Sequence, residues 1–295
     1  MERKVFRVGS VGIGGISRGV HLPGIAKSPD FGSWWPCVIS SRSGWPMPVR
    51  PMGLRRITVL RIITIWSTAR MWMWWTSPPL TTPILRWQRP PLRRESPYCL
   101  EKPVTLTAEE ADILAKMTAE RGLPSMVCFS YRFKAAARYA KELVDKGLLG
   151  EIYHVYMQYL QAGGGPSYDL PRSWRYQKSL TGTGALGDLG CHALDLVSFV
   201  TGKDYCKAVG HADTFVHQRR LEEGEGMGEV DVDDFCHYLM EMDGKTSANF
   251  SVTRFAYGRG NYQRMEIYGS KGALVYSLDV TPGVDELEVC IGFPL

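Results

Sequence analysis

The sequence predicts an N-terminal α/β unit with a parallel sheet, followed by an α+β unit with a mainly antiparallel open sheet. Three observations carry this prediction. Residues 5–11 form an apolar run that leads directly into the glycine-rich GIGGIS. Residues 151–161 have the period of two that is typical of a half-buried strand. Strand patterns then succeed one another towards the C-terminus, which favours antiparallel pairing. At 295 residues the chain is long enough for two cores.

The first element is the strand over residues 5–11, and the turn after it carries the first functional signal. In this Gly-x-Gly turn, Gly12 makes the sharp bend and Gly14 lets the backbone approach a pyrophosphate at the start of a helix. Gly15 and Ile16 belong to the same turn, and Ser17 takes the third, packing position. This pattern predicts a Rossmann-type dinucleotide-binding unit over residues 1–125.

Residues 32–94 do not resemble the rest of the chain. They contain ten arginines, eight of the nine tryptophans and no Asp, Glu or Lys, and residues 32–98 hold ten of the eighteen prolines. Ordinary sequence mixes both signs of charge. The +10 of this segment leaves the remainder at −5, against +5 for the whole chain. A nucleic-acid-binding segment is one interpretation, but no helical or strand period presents the arginines.

The genetic code favours a different interpretation. Met and Trp each have a single codon, so residues 71–75 (MWMWW) fix their own DNA sequence. Shifted by one base, those codons encode an ambiguous residue followed by Val-Asp-Val-Val, the pattern of a buried parallel strand. The same shift over residues 33–39 gives a second strand, with an acid permitted at its end. We therefore interpret about residues 32–98 as a frameshifted translation, and discount Ser40, Ser41 and Arg42 as a pocket for a 2′-phosphate.

Beyond this segment, a short strand ends at Glu101, Lys102 and Pro103. Lys102 therefore lies at the carboxyl end of a strand, where open α/β sheets bind ligands. A solvated loop lysine is the alternative. Thr107 and Glu110 form a capping box, which predicts a helix that stops at Gly122.

The second unit is predicted over residues 126–295. Its pattern gives a strand over 126–133, a helix over 134–146 that ends at Gly147, and the strand over 151–161. A Gly/Pro-rich loop with Trp174 and Arg175 follows. The remaining strands form a meander with turns at residues 243–244 and 269–272.

Residues 184–196 (GALGDLGCHALDL) form the helix around which the second unit's candidate site is built. Asp188, His192 and Asp195 recur at i, i+4 and i+7, so they share one helical face. A carboxylate beside an imidazole fixes the imidazole tautomer, as general acid–base chemistry requires. A capped helix with a solvated polar face is the alternative. The glycines of TGTGALGD favour a functional site over a solvated helix face, because they let a ligand approach the backbone.

The composition also bears on the protein's cellular compartment and partners. Seven cysteines without a CxxC pair or metal-ligand spacing indicate reduced thiols and no metal site. The sequence contains neither the apolar run of a signal peptide nor a stretch that could span a membrane. We therefore expect a cytoplasmic protein without membrane or nucleic-acid partners. The last residues, VCIGFPL, have no closing helix and indicate C-terminal truncation.

Together, GIGGIS, EKP, the Trp174–Arg175 pair and GALGDLGCHALDL resemble the Gfo/Idh/MocA oxidoreductases over about residues 1–31 and 99–292. The resemblance implies a Rossmann domain for NAD or NADP, and a C-terminal sheet that carries the substrate and a homo-oligomer contact. It assigns Glu101 and Lys102 to the cofactor site, with Lys102 also facing the reacting hydroxyl. It implies that Asp188 holds substrate hydroxyls and His192 transfers the proton, and that Arg175 binds substrate.

The predicted activity is therefore NAD(P)-dependent oxidation of a secondary hydroxyl of a sugar, polyol or inositol. A non-catalytic ligand-binding or regulatory relative and an inactive frameshifted product are the alternatives. Because residues 32–98 as written depart from the family pattern, we expect the second to fourth Rossmann strands to be missing. The first strand and the strand before Lys102 would then lack neighbours, and cofactor binding would be weak.

Overall fold

The computed structural model describes residues 6–11, 16–28, 31–37, 72–75 and 97–292. The chain divides into two compact units, Met1–Cys128 and Phe129–Leu295. None of the helices within the described ranges is long and apolar enough to cross a bilayer.

The first unit contains a five-stranded sheet in the order β2-β1-β3-β4-β5, with every pairing parallel. After β1 the chain forms β2 on one side and β3 on the other. The carboxyl end of β1 is therefore a topological switch point, where α/β sheets bind ligands. The strands are β1 (Phe6–Val11), β2 (Phe31–Cys37), β3 (Trp72–Trp75), β4 (Tyr98–Leu100) and β5 (Ser125–Val127).

The strands β2 and β3 correct one expectation. The first strand pairs with both of them, and β4 pairs with β3 and β5, so neither strand lacks neighbours. The physical reason is that both segments are free of arginine and rich in aromatic side chains, which favour extended backbone. The one proline, Pro36, is tolerated because β2 is an edge strand. The frameshift itself concerns the gene and stays a prediction.

The helices of the first unit begin with a π-helical turn, Ser17–His21, which continues into α1 (Leu22–Lys27). Ser17 is fully buried, as its packing position predicts. The second helix is α2 (Ala108–Glu120), and the predicted cap by Thr107 and Glu110 is confirmed, although Glu110 reaches the amide before Thr107 and not that of Thr107 itself. The Thr107 hydroxyl accepts the Glu110 amide (3.2 Å), and the Glu110 carboxylate accepts the Leu106 amide (3.1 Å).

The second unit contains a seven-stranded sheet in the order β14-β13-β12-β6-β11-β10-β7. Its pairings are antiparallel except for β6 with β11, so the sheet is mixed. The strands β8 and β9 pair with each other in a separate two-stranded antiparallel sheet. The strands are β6 (Ile152–Leu160), β7 (Tyr205–Asp213), β8 (Gln218–Arg220), β9 (Met227–Glu229), β10 (Phe235–Met242), β11 (Thr246–Thr253), β12 (Tyr262–Gly269), β13 (Gly272–Leu278) and β14 (Asp285–Ile291).

One face of this sheet is covered by α3 (Ala135–Asp145) and α5 (Cys191–Thr201). The buried residues of both helices share one apolar core with the sheet, including Val155 and Met157 of β6. The alternation predicted for β6 is therefore confirmed, as are the turns before β11 and β13. A short helix, α4 (Lys178–Thr181), lies in the loop before α5.

The single strand predicted over residues 126–133 is wrong. The strand β5 ends at Val127, and Ser130–Phe133 form a 3-10 turn. Tertiary contacts of the turn's side chains explain the break. Tyr131 is hydrogen-bonded to Tyr159 (2.7 Å), and the Arg132 Nε atom donates to the Asp195 carboxylate (2.8 Å).

Candidate active site

The helix that carries Asp188 and His192 does not begin as a regular α-helix. Leu186–Gly190 form a π-helical turn, and α5 continues from Cys191. Such turns widen the helix and are frequent at functional sites. The three residues predicted to share one helical face therefore have different partners. Asp195 forms an ion pair with Arg132, whereas Asp188 forms one with Arg254.

The start of this helix is held by Asp233, which lies just before β10. Its carboxylate accepts hydrogen bonds from the Thr183 hydroxyl (2.7 Å) and from the amides of Gly184 and Leu186 (2.6 Å each). The Asp233 carbonyl accepts the Ala185 amide (2.8 Å). A Cβ atom on Gly184 would lie 1.9 Å from that carbonyl oxygen. Gly184 is therefore required by the chain's own packing. The role of the glycine run in ligand approach stays a prediction.

Asp188 combines an anchored oxygen with an accessible side chain. Its Oδ2 atom accepts a hydrogen bond from Nη2 of Arg254 (2.9 Å), while 30% of the Asp188 side chain remains exposed. The same Arg254 nitrogen donates to the Gly184 carbonyl (3.3 Å). Charge-assisted bonds of this kind are stronger than neutral ones and define orientation. The Asp188 carboxylate is thus held in place and still reachable.

His192 is 7% exposed and lies among aromatic rings. The centroid of its ring lies 4.8 Å from that of Tyr131 and 5.7 Å from that of Phe129, both in edge-on geometry. The ring of Tyr159 lies 6.2 Å away. These contacts restrict the orientation of the imidazole, which is what a group that transfers a proton at a fixed point requires.

A ring of hydrogen bonds supports this aromatic wall. The Tyr159 hydroxyl donates to Oδ1 of Asn261 (2.6 Å), and Nδ2 of Asn261 donates to the Tyr131 hydroxyl (2.8 Å). The Tyr131 hydroxyl then completes the ring to Tyr159. Burial, together with the neighbouring Tyr131, raises the pKa of Tyr159 well above its ordinary value of 10.0, so this hydroxyl stays protonated.

Arg175 belongs to the 3-10 turn Trp174–Tyr176 in the loop before α4. Its side chain is exposed, and its guanidinium lies 4.4 Å from the centroid of the Trp174 ring. A cation over an aromatic face presents both a charged and a flat surface to solvent. Its role in substrate binding stays a prediction.

In the first unit, Glu101 and Lys102 directly follow β4, at the carboxyl edge of the parallel sheet. The Glu101 carboxylate contacts Nε2 of His21 (2.5 Å) and accepts the Lys102 amide (3.2 Å). Glu101 therefore connects the start of α1 to the strand end. The glycines Gly12, Gly14 and Gly15 lie outside the described residues, and Ile16 is half exposed next to the buried Ser17.

Two cysteines lie beside Glu101. The Sγ atoms of Cys99 and Cys128 are 3.4 Å apart, and ligand atoms of His21, Glu101 and Cys128 lie within 4.8 Å of one another. This spacing is compatible with a metal ion, a possibility that the sequence spacing did not indicate. The hydrogen bond with Cys99 and burial raise the pKa of Cys128, which keeps its thiol protonated.

The structure adds residues that the sequence analysis missed. Asp233 and Arg254 hold the start of the site helix. Tyr131 and Tyr159 pack beside His192, and Asn261 joins their hydroxyls. A weak signal existed for Arg254, a charged residue at the end of the apolar strand pattern SVTRF. The others are ordinary strand or turn residues whose proximity arises only from the fold.

The first unit contains a parallel sheet with a switch point at the end of β1, and the second contains a large mixed sheet and the helix that carries Asp188 and His192. The profile of the GFO/IDH/MocA C-terminal domain matches residues 137–275, which include both Asp188 and His192. This part of the chain therefore matches the C-terminal domain of the Gfo/Idh/MocA family.

Individual proteins are also similar to this chain. Levoglucosan dehydrogenase of Pseudarthrobacter phenanthrenivorans is 32% identical over 201 residues, which cover 64% of this chain and 50% of the relative. A structure of levoglucosan dehydrogenase with NADH and L-sorbose superposes with a TM-score of 0.81 at 24% identity, over 98% of this chain and 77% of the other. For an oxidoreductase domain protein from Kribbella flavida the TM-score is 0.78 at 25% identity, with coverages of 98% and 81%. The chain spans about half the length of the curated relatives it matches.

Proposed function

We propose that the protein is an NAD(P)-dependent dehydrogenase that oxidises a secondary hydroxyl of a sugar, polyol or inositol. One observation carries the proposal. Within the GFO/IDH/MocA domain, a single helix start presents an anchored, accessible carboxylate, Asp188, and a buried imidazole, His192, which packs against aromatic rings. The similarity to a levoglucosan dehydrogenase supports a sugar as the substrate class.

The first unit fits a dinucleotide. The glycine turn follows β1, and the strand order makes this strand end the switch point of the sheet. Gly12, Gly14, Gly15 and Ile16 would hold the pyrophosphate there. Glu101 and Lys102 follow β4 at the same edge, because carboxyl ends of parallel strands meet at one edge. Bound NAD or NADP would supply the nicotinamide ring that accepts a hydride.

The residues of the chain supply binding and proton chemistry. Asp188 accepts a hydrogen bond from a substrate hydroxyl and so orients the sugar. His192 takes the O–H proton as the C–H bond gives up its hydride, which balances the oxidation of the alcohol. Lys102 stabilises the negative charge that develops on the oxygen. Arg175 contributes to substrate binding. Residues 1–125 thus serve the cofactor and residues 126–295 the substrate.

A substrate screen with a matched histidine control tests this function. A version of the protein with the reading frame of residues 32–98 restored is assayed with NAD⁺ and NADP⁺ against sugars, polyols and inositols, and the variants below are made in it. His192→Ala should lower kcat about 10²-fold or more, since general-base catalysis contributes ~10²–10⁴. His217→Ala, which removes an exposed imidazole, should leave kcat unchanged. Cofactor binding without turnover of any substrate would instead support a non-catalytic relative.

We also propose that about residues 32–98 arise from a frameshift. Resequencing the gene across codons 30–101 tests this directly, and an unshifted frame would remove the proposal. Calorimetry then compares the chain as written with a frame-restored version. We expect weaker NAD(P) binding by the chain as written, and equal affinities would show that the segment serves as a functional Rossmann half.

The open face of the C-terminal sheet is our proposed homo-oligomer contact, in a cytoplasmic protein. Tyr156, Tyr268, Leu239 and Val209 are each 38–68% exposed on the strands of this sheet. Exposed apolar side chains on an uncovered sheet favour association. Sedimentation velocity should show a species larger than the monomer that Leu239→Glu dissociates. A wild-type monomer at micromolar concentration would contradict the proposal.

A further inference from the structure

We infer that Arg254 is a positioning residue that fixes the Asp188 carboxylate for substrate binding, an inference that rests on the proposed function. Arg254 directly follows β11, and Asp188 lies in the π-helical turn before α5. Nη2 of Arg254 donates to Oδ2 of Asp188 at 2.9 Å. The two residues are 66 positions apart in sequence, so the contact is a product of the fold.

Burial makes this contact hard to replace. The Arg254 side chain is 8% exposed, and a buried guanidinium requires anionic or carbonyl partners. Its second acceptor is the Gly184 carbonyl at 3.3 Å, and its Nη1 atom is buried without a hydrogen-bond partner within the described part of the chain. If the Asp188 carboxylate turned away, Arg254 would lose its closest anion. Arg254 therefore holds Asp188 in one orientation.

A buried carboxylate, Asp234, lies near Arg254 as well. Asp234 is fully buried, and its Oδ2 atom accepts the amides of Phe215 (2.8 Å) and Val216 (3.1 Å). The charges of Arg219 and Arg254 act on this carboxylate, and the Arg254 amide donates to the Asp234 carbonyl (3.0 Å). Arg254 is thus near two acids, the buried Asp234 and the partly exposed Asp188, and forms its ion pair with Asp188.

This arrangement has a functional consequence. With one oxygen bonded to Arg254 and 30% of its side chain exposed, Asp188 offers a preoriented carboxylate to a substrate hydroxyl. A carboxylate with free rotation would have to be ordered at each binding event, at a cost in affinity. Arg254 does not need to touch the substrate in order to exert this effect.

The test separates positioning from a purely structural role. Arg254→Gln should raise KM for the sugar substrate at least tenfold and lower kcat/KM about 10²-fold, while the NAD⁺ dissociation constant changes less than twofold. Arg254→Lys, which keeps the charge, should restore part of the loss. Asp195→Asn, which breaks the other Arg–Asp pair on the same helix, is the matched control and should leave KM unchanged.

A double mutant completes the test. Since Arg254 acts through Asp188, Arg254→Gln combined with Asp188→Asn should be no worse than Asp188→Asn alone. Additive losses, or an unchanged KM with only a lower Tm, would overturn the inference.

Direct binding separates this inference from the proposed function. Calorimetry with D-glucose, levoglucosan and myo-inositol is run on wild type and Arg254→Gln, each saturated with NAD⁺. Binding that requires Arg254 without turnover would retain the inference and refute the dehydrogenase. Equal binding by both proteins, or no binding by wild type, would refute the positioning role.

Discussion

Gly184→Ala tests how the start of the site helix is held. The new methyl group would lie 1.9 Å from the Asp233 carbonyl oxygen and within 2.9 Å of two further backbone atoms of Asp233. Ordinary contacts of a Cβ atom begin near 3.4 Å, so the Asp233 backbone has to move by more than an ångström. That movement disturbs the hydrogen bond from Ala185 and the three bonds to the Asp233 carboxylate.

The expected loss of unfolding free energy follows from this clash and from the weakened hydrogen bonds. Overpacking costs about 1–3 kcal/mol, and each weakened hydrogen bond about 0.5–1.5 kcal/mol. Gly184 lies in the bend before the helix, so the gain from alanine comes only from the lower entropy of the unfolded chain and is no more than about 1 kcal/mol. We therefore expect the free energy of unfolding of the second unit to fall by about 2–5 kcal/mol. For a domain of this size each 1 kcal/mol lowers Tm by about 2–4 °C.

Scanning calorimetry measures the transition, and hydrogen exchange at the amides of residues 184–190 shows whether the loss is local. Gly163→Ala is the matched control, because a Cβ atom there meets nothing within 4 Å and the backbone is not left-handed. If Gly184→Ala and Gly163→Ala unfold at the same temperature, the proposed close approach of the two backbones is wrong.

Two further predictions concern the tyrosines of the second unit. Tyr131→Phe leaves the Asn261 amide without its acceptor, so the unfolding free energy should fall by about 1–3 kcal/mol, while the ring next to His192 remains and kcat falls less than tenfold. The exposed Tyr139→Phe is its control, and equal Tm values would contradict the network. Burial raises the pKa of both Tyr238 and Tyr276 above 10.0, so these groups stabilise the fold below pH 10 and lose that effect as the unfolded chain ionises at higher pH. Denaturant titrations should show stability falling by up to about 1.4 kcal/mol per pH unit for each, and Tyr→Phe at either position should reduce the slope. An unchanged slope would refute the assignment.

Local patterns in the sequence determined much of this protein. The capping box of α2, the alternation of β6 and the hairpin turns depend on neighbours within a few residues, so their signals are complete in the sequence. The Asp188 and His192 pair was also recognisable, because both chemistry and spacing are local. The pairing of β2 and β3 with β1 was not foreseen, since backbone pairing tolerates side chains that argue against it.

Only the tertiary structure decided how the site is held. The Asp233 carboxylate accepts a hydrogen bond from the Gly184 amide, which is 49 positions away in sequence. Arg254 lies 66 positions from its partner Asp188. No period or motif links such residues, because their contact depends on the order of β10 and β11 in the sheet. The sequence determined which groups are candidates for the chemistry. The fold determined their orientation, because buried charges and backbone amides must find partners wherever the chain brings them together.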